Sequence, residues 1–395
     1  MKSKNIEDQA YQAVEMGEIE IDNMGRVWRL AVRRSICSML DLQQTVLPLK
    51  FSHTPKFPST RYQGSKLKLS NWIWEQISNI DFHTCLDAFG GTGSISYRLK
   101  QAGKQVTYND ILRFNYHIGF ALVANNNKRL SPTDVEILLK RNENIVYPTF
   151  IQDNFHDIYF TDSENAWLDQ TITNIGQMED SVLQSLALFA LCQSCIIKRP
   201  YNLFHRKNLY VRFANVERTF GNKTSWDKPF EEWFQIFIHE ANEAVFDNGK
   251  TNCSLNCDVF ELPVDYDLIY IDTPYIPSHG IGTDYLGFYH FLEGLALYNE
   301  WDRYLDHKSK HLRFLPKPNV WTNKREIHSA FDKLFCKYKD SSIVVSYRSD
   351  GIPSIDELTK LLKKYKSSVR VAHFGQYKYA LSNNEKSEEI LLIGQ

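Results

Sequence analysis

The run Asp267-Leu-Ile-Tyr-Ile-Asp272-Thr-Pro-Tyr275 restricts the fold more than any other stretch of the 395 residues. Four apolar residues between two acids read as a buried central strand, and Pro274, with no amide hydrogen to give, stops the sheet ladder just past Asp272. A strand of that kind belongs to an open α/β sheet, where ligands bind at the carboxyl-end rim. The rim here receives Asp272, Thr273 and Tyr275. A carboxylate, a backbone carbonyl and an aromatic face suit a planar ring bearing an amine, because the oxygens can accept both amine hydrogens while the ring stacks on Tyr275.

A second stretch narrows the ligand. Thr84-Cys-Leu-Asp-Ala-Phe-Gly-Gly-Thr-Gly-Ser94 predicts a short buried strand, a glycine turn and a helix over Ile95 to Gln101. Gly91 and Gly93 remove side chains where a ligand must approach the backbone, and Asp87 stands at the strand end. The third glycine of a dinucleotide fingerprint is missing, which favours an adenosine-type ligand without a pyrophosphate, S-adenosylmethionine over NAD. About twenty residues on, Gln105 to Asp110 ends a second strand in an acid, where ribose hydroxyls are commonly held. A third strand over 252–260 closes on Asp258. Upstream, Arg61-Tyr-Gln-Gly-Ser-Lys66 precedes an amphipathic helix through Trp72, Trp74 and Ile77, so Lys66 can reach an anionic group at a helix start.

Between Ile111 and about Lys250 the strand–helix rhythm lapses, which predicts an inserted, mostly helical subdomain over 113–250 with an apolar helix from Val182 to Ile197. The net charge of −1 announces no nucleic-acid binder. Its local distribution does. Lys198, Arg199, Arg206, Lys207, Arg212, Arg218, Lys223 and Lys228 mix with Tyr201, Phe204, Tyr210, Phe213 and Trp226, as a phosphate-tracking, base-contacting surface requires. The alternative is a charged helical face that simply dissolves in water. Lys308, Lys310, His311, Arg313 and Lys317 form a second basic run open to the same two readings.

Residues 1–54 look like an appendage with a β-hairpin about Asn23-Met-Gly25, whose Arg26, Arg29, Arg33 and Arg34 are either solvated or an accessory phosphate contact. No apolar run reaches the roughly 20 residues of a membrane span, and the acidic N-terminus lacks a signal-peptide pattern, so a cytoplasmic protein with no membrane partner is expected. The seven scattered cysteines suit a reducing compartment. Cys192 and Cys195 fall in an apolar helix and read as core, so no metal site is expected. At the other end, a strand over Ser342–Tyr347, a turn over Ser349–Pro353, a helix over Ile355–Tyr365 and strands about a polar turn at Ser382–Lys386 predict a closing β-hairpin.

With Gly91 and Gly93, Asp110 and the Asp272 rim in this order, the chain resembles alpha-class DNA adenine-N6 methyltransferases from about Arg61 to Gly394. Arg61 to Lys66 looks like the family's first cofactor motif, Asp87 to Gly93 like its glycine motif, and Asp272-Thr-Pro-Tyr275 like its catalytic Asp-Pro-Pro-Tyr. The resemblance implies a Rossmann-like methyltransferase sheet over 55–112 and 251–395, carrying the insert as its target-recognition part. It implies that Tyr62, Lys66, Asp110 and Asp272 contact S-adenosylmethionine, with Phe89 and Gly91 lining its site. It also implies double-stranded DNA as substrate, a flipped adenine at Asp272 and Tyr275, and a restriction endonuclease as a possible companion in a bacterial or phage setting. Thr273 departs from the family's proline, keeping the carbonyl but losing a rigid φ. Rival readings are transfer to cytosine-N4, RNA or a protein amide, and a catalytically silent DNA-binding subunit.

Overall fold

Seven short segments form one sheet: β1 (Thr84–Asp87), β2 (Gln105–Asn109), β3 (Cys253–Leu255), β4 (Leu268–Ile271), β5 (Ser342–Arg348), β6 (Val369–Gln376) and β7 (Glu388–Gly394). They come from a computed structural model that describes residues 55–214, 223–278, 282–376 and 387–395. The chain divides into units 1–54 and 55–395, and the first, with the predicted hairpin and its arginines, lies outside the described residues, as do Arg218 and the turn at Ser382–Lys386.

Across the sheet the order is β3-β2-β1-β4-β5-β7-β6. The first five strands run parallel, and β7 lies antiparallel to both β5 and β6 as the closing hairpin. All four residues of β4 are buried, and they alternate between two cores as a period of two requires. Ile269 and Ile271 pack with helices α8 (Ile327–Lys337) and α9 (Ile355–Leu362). Leu268 and Tyr270 pack with α1 (Ser70–Ile77) and α2 (Ser94–Gln101) on the other face. After β1 the chain moves outward to β2 and β3, then returns to lay β4 on the opposite side of β1. That reversal opens a crevice beyond the carboxyl ends of β1 and β4, which is where an open α/β sheet binds its ligand.

The path from β2 to β3 is helical, with α3 (Arg113–Gly119), α4 (Asp162–Gly176), α5 (Ser181–Ile197) and α6 (Phe230–Ala244) as its main elements. Asp180 starts α5 by accepting from the amides of Val182 and Leu183 at 2.9 and 3.2 Å. From Ser185 to Ile197 every residue of α5 is buried, so this helix is the centre of a core and not its edge. That core runs without a break into Tyr97 of α2 and into Phe291 and Leu292 of α7 (Tyr285–Ala296).

One local expectation changes. The segment predicted as a turn, Ser349–Pro353, contains Gly351 and Ile352 paired antiparallel with Pro277 and Ile276. A two-residue pairing is too short to leave an alternating pattern. It ties the segment after Pro274 to the end of β5.

Candidate functional site

Leaving β1 at Asp87, the chain bends through Gly91 and Gly93 at φ +51° and +74° before entering α2. Side-chain-bearing residues rarely adopt those angles. Gly90 is required for another reason: a Cβ there would lie 2.0 Å from the Tyr108 ring, and one on Gly119 would lie 2.2 Å from the same ring. Tyr108 is thus wedged between the bend and α3, and its hydroxyl donates to the Gly91 carbonyl at 2.7 Å. Asp110 braces the bend from β2. One carboxylate oxygen accepts from the Gly91 amide at 2.9 Å and the other from the Leu112 amide at 2.8 Å.

Asp87 is 1% exposed. Ser96 donates to one of its oxygens at 2.7 Å, whereas the other oxygen, Oδ1, has no hydrogen-bond partner among the described residues. Burial pushes this carboxyl up to about 7, against the Ser96 hydrogen bond and with the Asp110 charge adding to the rise. A buried carboxylate oxygen left unmet costs free energy and asks for a donor. Both Asp87 and Asp110 line a cavity of about 650 Å³ that also takes in Tyr62, Phe89, Gly91, Asp258 and, on its far side, Asp272 and Pro274.

The segment ahead of α1 forms the near wall. Gly64, at φ +83°, turns the chain where a Cβ would meet the Tyr285 hydroxyl at 2.4 Å. Tyr62 lies almost parallel to Tyr289, at 4.4 Å between ring centres, and to Tyr285 at 5.7 Å. Its hydroxyl accepts from the Asn115 amide at 3.3 Å. Lys66 is buried and spans two carboxylates, with Nζ 3.3 Å from Asp272 and 2.9 Å from Glu389. Burial raises the Asp272 carboxyl to about 7; Lys66 opposes the rise and Glu389 supports it. Asp272 still opens to the cavity, at 17% exposure.

Glu389 escaped the sequence reading. It is the second residue of a strand that is apolar from Ile390 onward, accepts from Ser346 Oγ at 2.5 Å and is fully buried. The signal available was an acid at the head of Ile390-Leu-Leu-Ile393, a position that burial makes expensive unless a cation answers it.

Among the predicted rim residues, Thr273 is 2% exposed and its Oγ1 has no hydrogen-bond partner among the described residues. Tyr275 requires a correction. It is absent from the described residues that line the cavity, its ring is 8% exposed, and the Arg348 guanidinium sits 5.1 Å from its centre. Tyr285 lines the cavity instead. The next residue, Ile276, joins the two-residue pairing with Ile352, and Arg348 at the end of β5 lies against the Tyr275 ring. Asp258 falls three residues past the end of β3, exposed, with Oδ1 accepting from the Phe260 amide at 2.9 Å.

α7, against which Tyr62 packs, and the segment after it add further lining. Glu293 caps α3 by accepting from the Arg113 and Phe114 amides at 2.9 and 3.1 Å, while burial lifts its carboxyl to about 7 against those hydrogen bonds. Phe89 meets the edge of Trp321 at 5.1 Å, and Trp321 stacks on Phe260 at 5.8 Å. Arg313 and Lys317 are exposed and line the cavity.

These features, a glycine bend with acids at the ends of two adjacent strands and Asp272 and Pro274 of the Asp-Thr-Pro-Tyr segment in one cavity, lie within residues 62–361, which match the family model of D12 class N6 adenine-specific DNA methyltransferases. The chain belongs to that family. As a D12-class enzyme it methylates adenine in DNA at the exocyclic nitrogen. Similar proteins include the type II methyltransferase M2.HphI of Haemophilus parahaemolyticus, 30% identical over 86% of this chain and 98% of that protein. The type II methyltransferase M.FokI of Planomicrobium okeanokoites is 25% identical over 84% of this chain, which spans 51% of that longer protein. M.CviAII of Paramecium bursaria Chlorella virus 1 is 24% identical over 84% of this chain and 97% of its own length.

The basic cluster of this D12-class protein is divided by burial, and three of its predicted DNA contacts need correcting. Lys198, Arg199 and Arg212 are 1%, 1% and 4% exposed. Lys198 pairs with Glu164 at 2.9 Å, and Arg212 grips both Glu164 oxygens at 2.7 Å. Arg199 donates to the Tyr159, Leu203 and Arg206 carbonyls and to the Asn208 side chain. Their charges hold the helical core together and are spent there. Arg206 and Lys207 remain exposed, Lys207 lying 2.9 Å from Asp157.

Proposed function

We propose that the methyl donor is S-adenosylmethionine, bound at the glycine bend, and that the acceptor is an adenine turned out of duplex DNA against Asp272. The supporting observation is that one cavity joins the bend to Asp272. The residues present fit the donor: the buried, unmet oxygen of Asp87 suits its ammonium group, Gly91 leaves room at the backbone, Asp110 suits ribose hydroxyls, and Phe89 offers an aromatic surface. When bound, S-adenosylmethionine supplies a methyl group on a positively charged sulfur.

The chain's own part is positioning and electrostatics. The lone pair of adenine's amine is delocalised into its ring. Asp272 and the Thr273 carbonyl, as acceptors for the two amine hydrogens, would draw the nitrogen toward tetrahedral geometry. They would also stabilise the positive charge it gains. Thr273 supports this as well as proline would, since the group required is a backbone oxygen. Tyr285 takes the stacking role first assigned to Tyr275, and Tyr62 backs it.

Residues 113–250 serve as the DNA-recognition insert in this reading, with Arg206 and Lys207 as phosphate contacts. A cognate restriction endonuclease is the expected companion. Incubating the protein with tritiated S-adenosylmethionine and duplex DNA, then digesting to nucleosides, tests the whole. Label in N6-methyl-2′-deoxyadenosine supports it. Label in cytosine, or none on any duplex, overturns it.

A further inference from the structure

Two acids and one base share a buried centre just past the carboxyl end of β4. Lys66 lies closer to Glu389 than to Asp272, 2.9 against 3.3 Å. Glu389 is held on two strands at once, by its own place in β7 and by the Ser346 hydroxyl of β5 at 2.5 Å. Those strands pair in antiparallel register from Ile343 with Gly394 to Arg348 with Glu389, so the carboxylate has little freedom to move. Its strand neighbours Ile390 to Ile393 are all buried and apolar, and the sheet would close without an acid at 389. A buried carboxylate is costly, and a well-packed apolar residue is often as stable or more so. Something other than folding explains its presence.

Charge counting supplies the explanation. Lys66 alone with Asp272 would make a neutral pair, and an ammonium donating to Asp272 weakens that carboxylate as an acceptor for anything else. With Glu389 present, the ammonium is shared, and with Asp272 ionised these three groups carry a net charge of −1. We propose that Glu389 is a positioning residue for methyl transfer, drawing Lys66 away from Asp272 so that Asp272 remains a strong acceptor for the adenine amine. This rests on the reading that Asp272 receives that amine. Glu389 itself touches neither substrate nor donor. The remaining ionisable groups facing this centre are Asp87 from β1, Tyr270 from β4, Tyr275 and Arg348 from the β5 side, and Tyr285 from α7. Arg348, which stands opposite Glu389 in the sheet register, is paired with Asp350 and its Nη2 reaches Ser387 at 3.0 Å, while Lys66 Nζ lies 2.9 Å from Glu389.

The test is Glu389→Gln, which keeps the shape and the Ser346 contact but removes the charge. The expected result is a fall in kcat of about tenfold or more, with KM for DNA and the calorimetric affinity for S-adenosylmethionine changed less than about twofold. Losing a negative neighbour lowers the Asp272 pKa, so the acid limb of the kcat profile moves to lower pH. Carbon-13 titration of carboxyl resonances, with Asp272 assigned through Asp272→Asn, should show the same displacement without any turnover. Ser346→Ala, which loosens Glu389 without discharging it, should lower kcat a few fold in the same direction and serves if the glutamine variant is unstable. Unchanged kcat and unchanged Asp272 titration in both variants would overturn the proposal. A kcat loss matched by equal loss of donor affinity would do the same, since it marks a merely structural role. Full activity in Asp272→Ala would sink the underlying reading, an outcome separable from failure at Glu389 alone.

Discussion

The protein holds two buried charge clusters of mirrored composition. At the sheet rim, Asp272 and Glu389 share Lys66; in the helical insert, Lys198 and Arg212 share Glu164. Burial pushes the acid up in both places. In the insert the Arg212 hydrogen bonds and the two cations outweigh it and hold the Glu164 carboxyl below its ordinary value, whereas at the rim Lys66 is shared between two carboxylates and burial lifts Asp272 to about 7. Glu164 also closes the start of α4 through a reciprocal cap with Thr161, so its hydrogen bonding is complete. The rim leaves an acceptor in hand. Stability is built where compensation is full, and chemistry where it is deliberately short.

The sharpest way to break that contrast is Asp272→Ala. Methyl transfer should fall by about 10²–10³-fold or more while the thermal transition stays put, and a variant that unfolds instead would give the rim a structural role. Glu164→Gln should do the reverse, costing about 3–5 kcal/mol in urea denaturation because two buried cations lose their partner, with kcat of the folded fraction intact.

Next in size is pH. In the proposed role Asp272 is a much stronger acceptor ionised than protonated, so kcat should rise with pH up to about 7 and fall by up to about tenfold per unit well below it. The stability contributions of the clusters run in opposite senses. Asp272 binds a proton more tightly folded than unfolded, so its contribution is full at low pH and is lost as pH climbs from about 4 toward 7. Glu164 contributes above its unfolded pKa and loses that as pH falls through its depressed folded value. Denaturation of Asp272→Asn and Glu164→Gln across this range measures both slopes. The smallest effect belongs to the exposed pair: Arg206→Ala with Lys207→Ala should raise the DNA KM a few fold and flatten its salt dependence by about one phosphate per contact.

Much of the architecture was legible because it rests on local patterns. The buried run of β4, the glycine bend and the apolar helix 181–197 each bury what their periodicity says they bury. Asp87, Asp110 and Asp272 meet in one cavity because strand ends in this topology converge. What could not be read is orientation outside regular elements. Lys198, Arg199 and Arg212 follow a helix and look solvent-bound in sequence, yet Glu164, the partner of Lys198 and Arg212, and Tyr159, whose carbonyl Arg199 reaches, both lie more than thirty residues upstream. Tyr275 lies against Arg348 beside the two-residue pairing of Ile276, and Glu389 meets Lys66 only across the folded sheet. Such pairings carry no periodic signature.

The Tyr108 wedge links parts of the molecule that otherwise look independent. One ring fills the space that both Gly90 and Gly119 leave empty, so the loop beneath the donor and the first helix of the insert occupy a common volume. Neither can drift alone. Exchanging residues 113–250, the proposed recognition part, for another segment would have to carry positions 90, 108 and 119 across as a block, and a chimaera cut between 109 and 119 should assemble only when its two parents agree on all three.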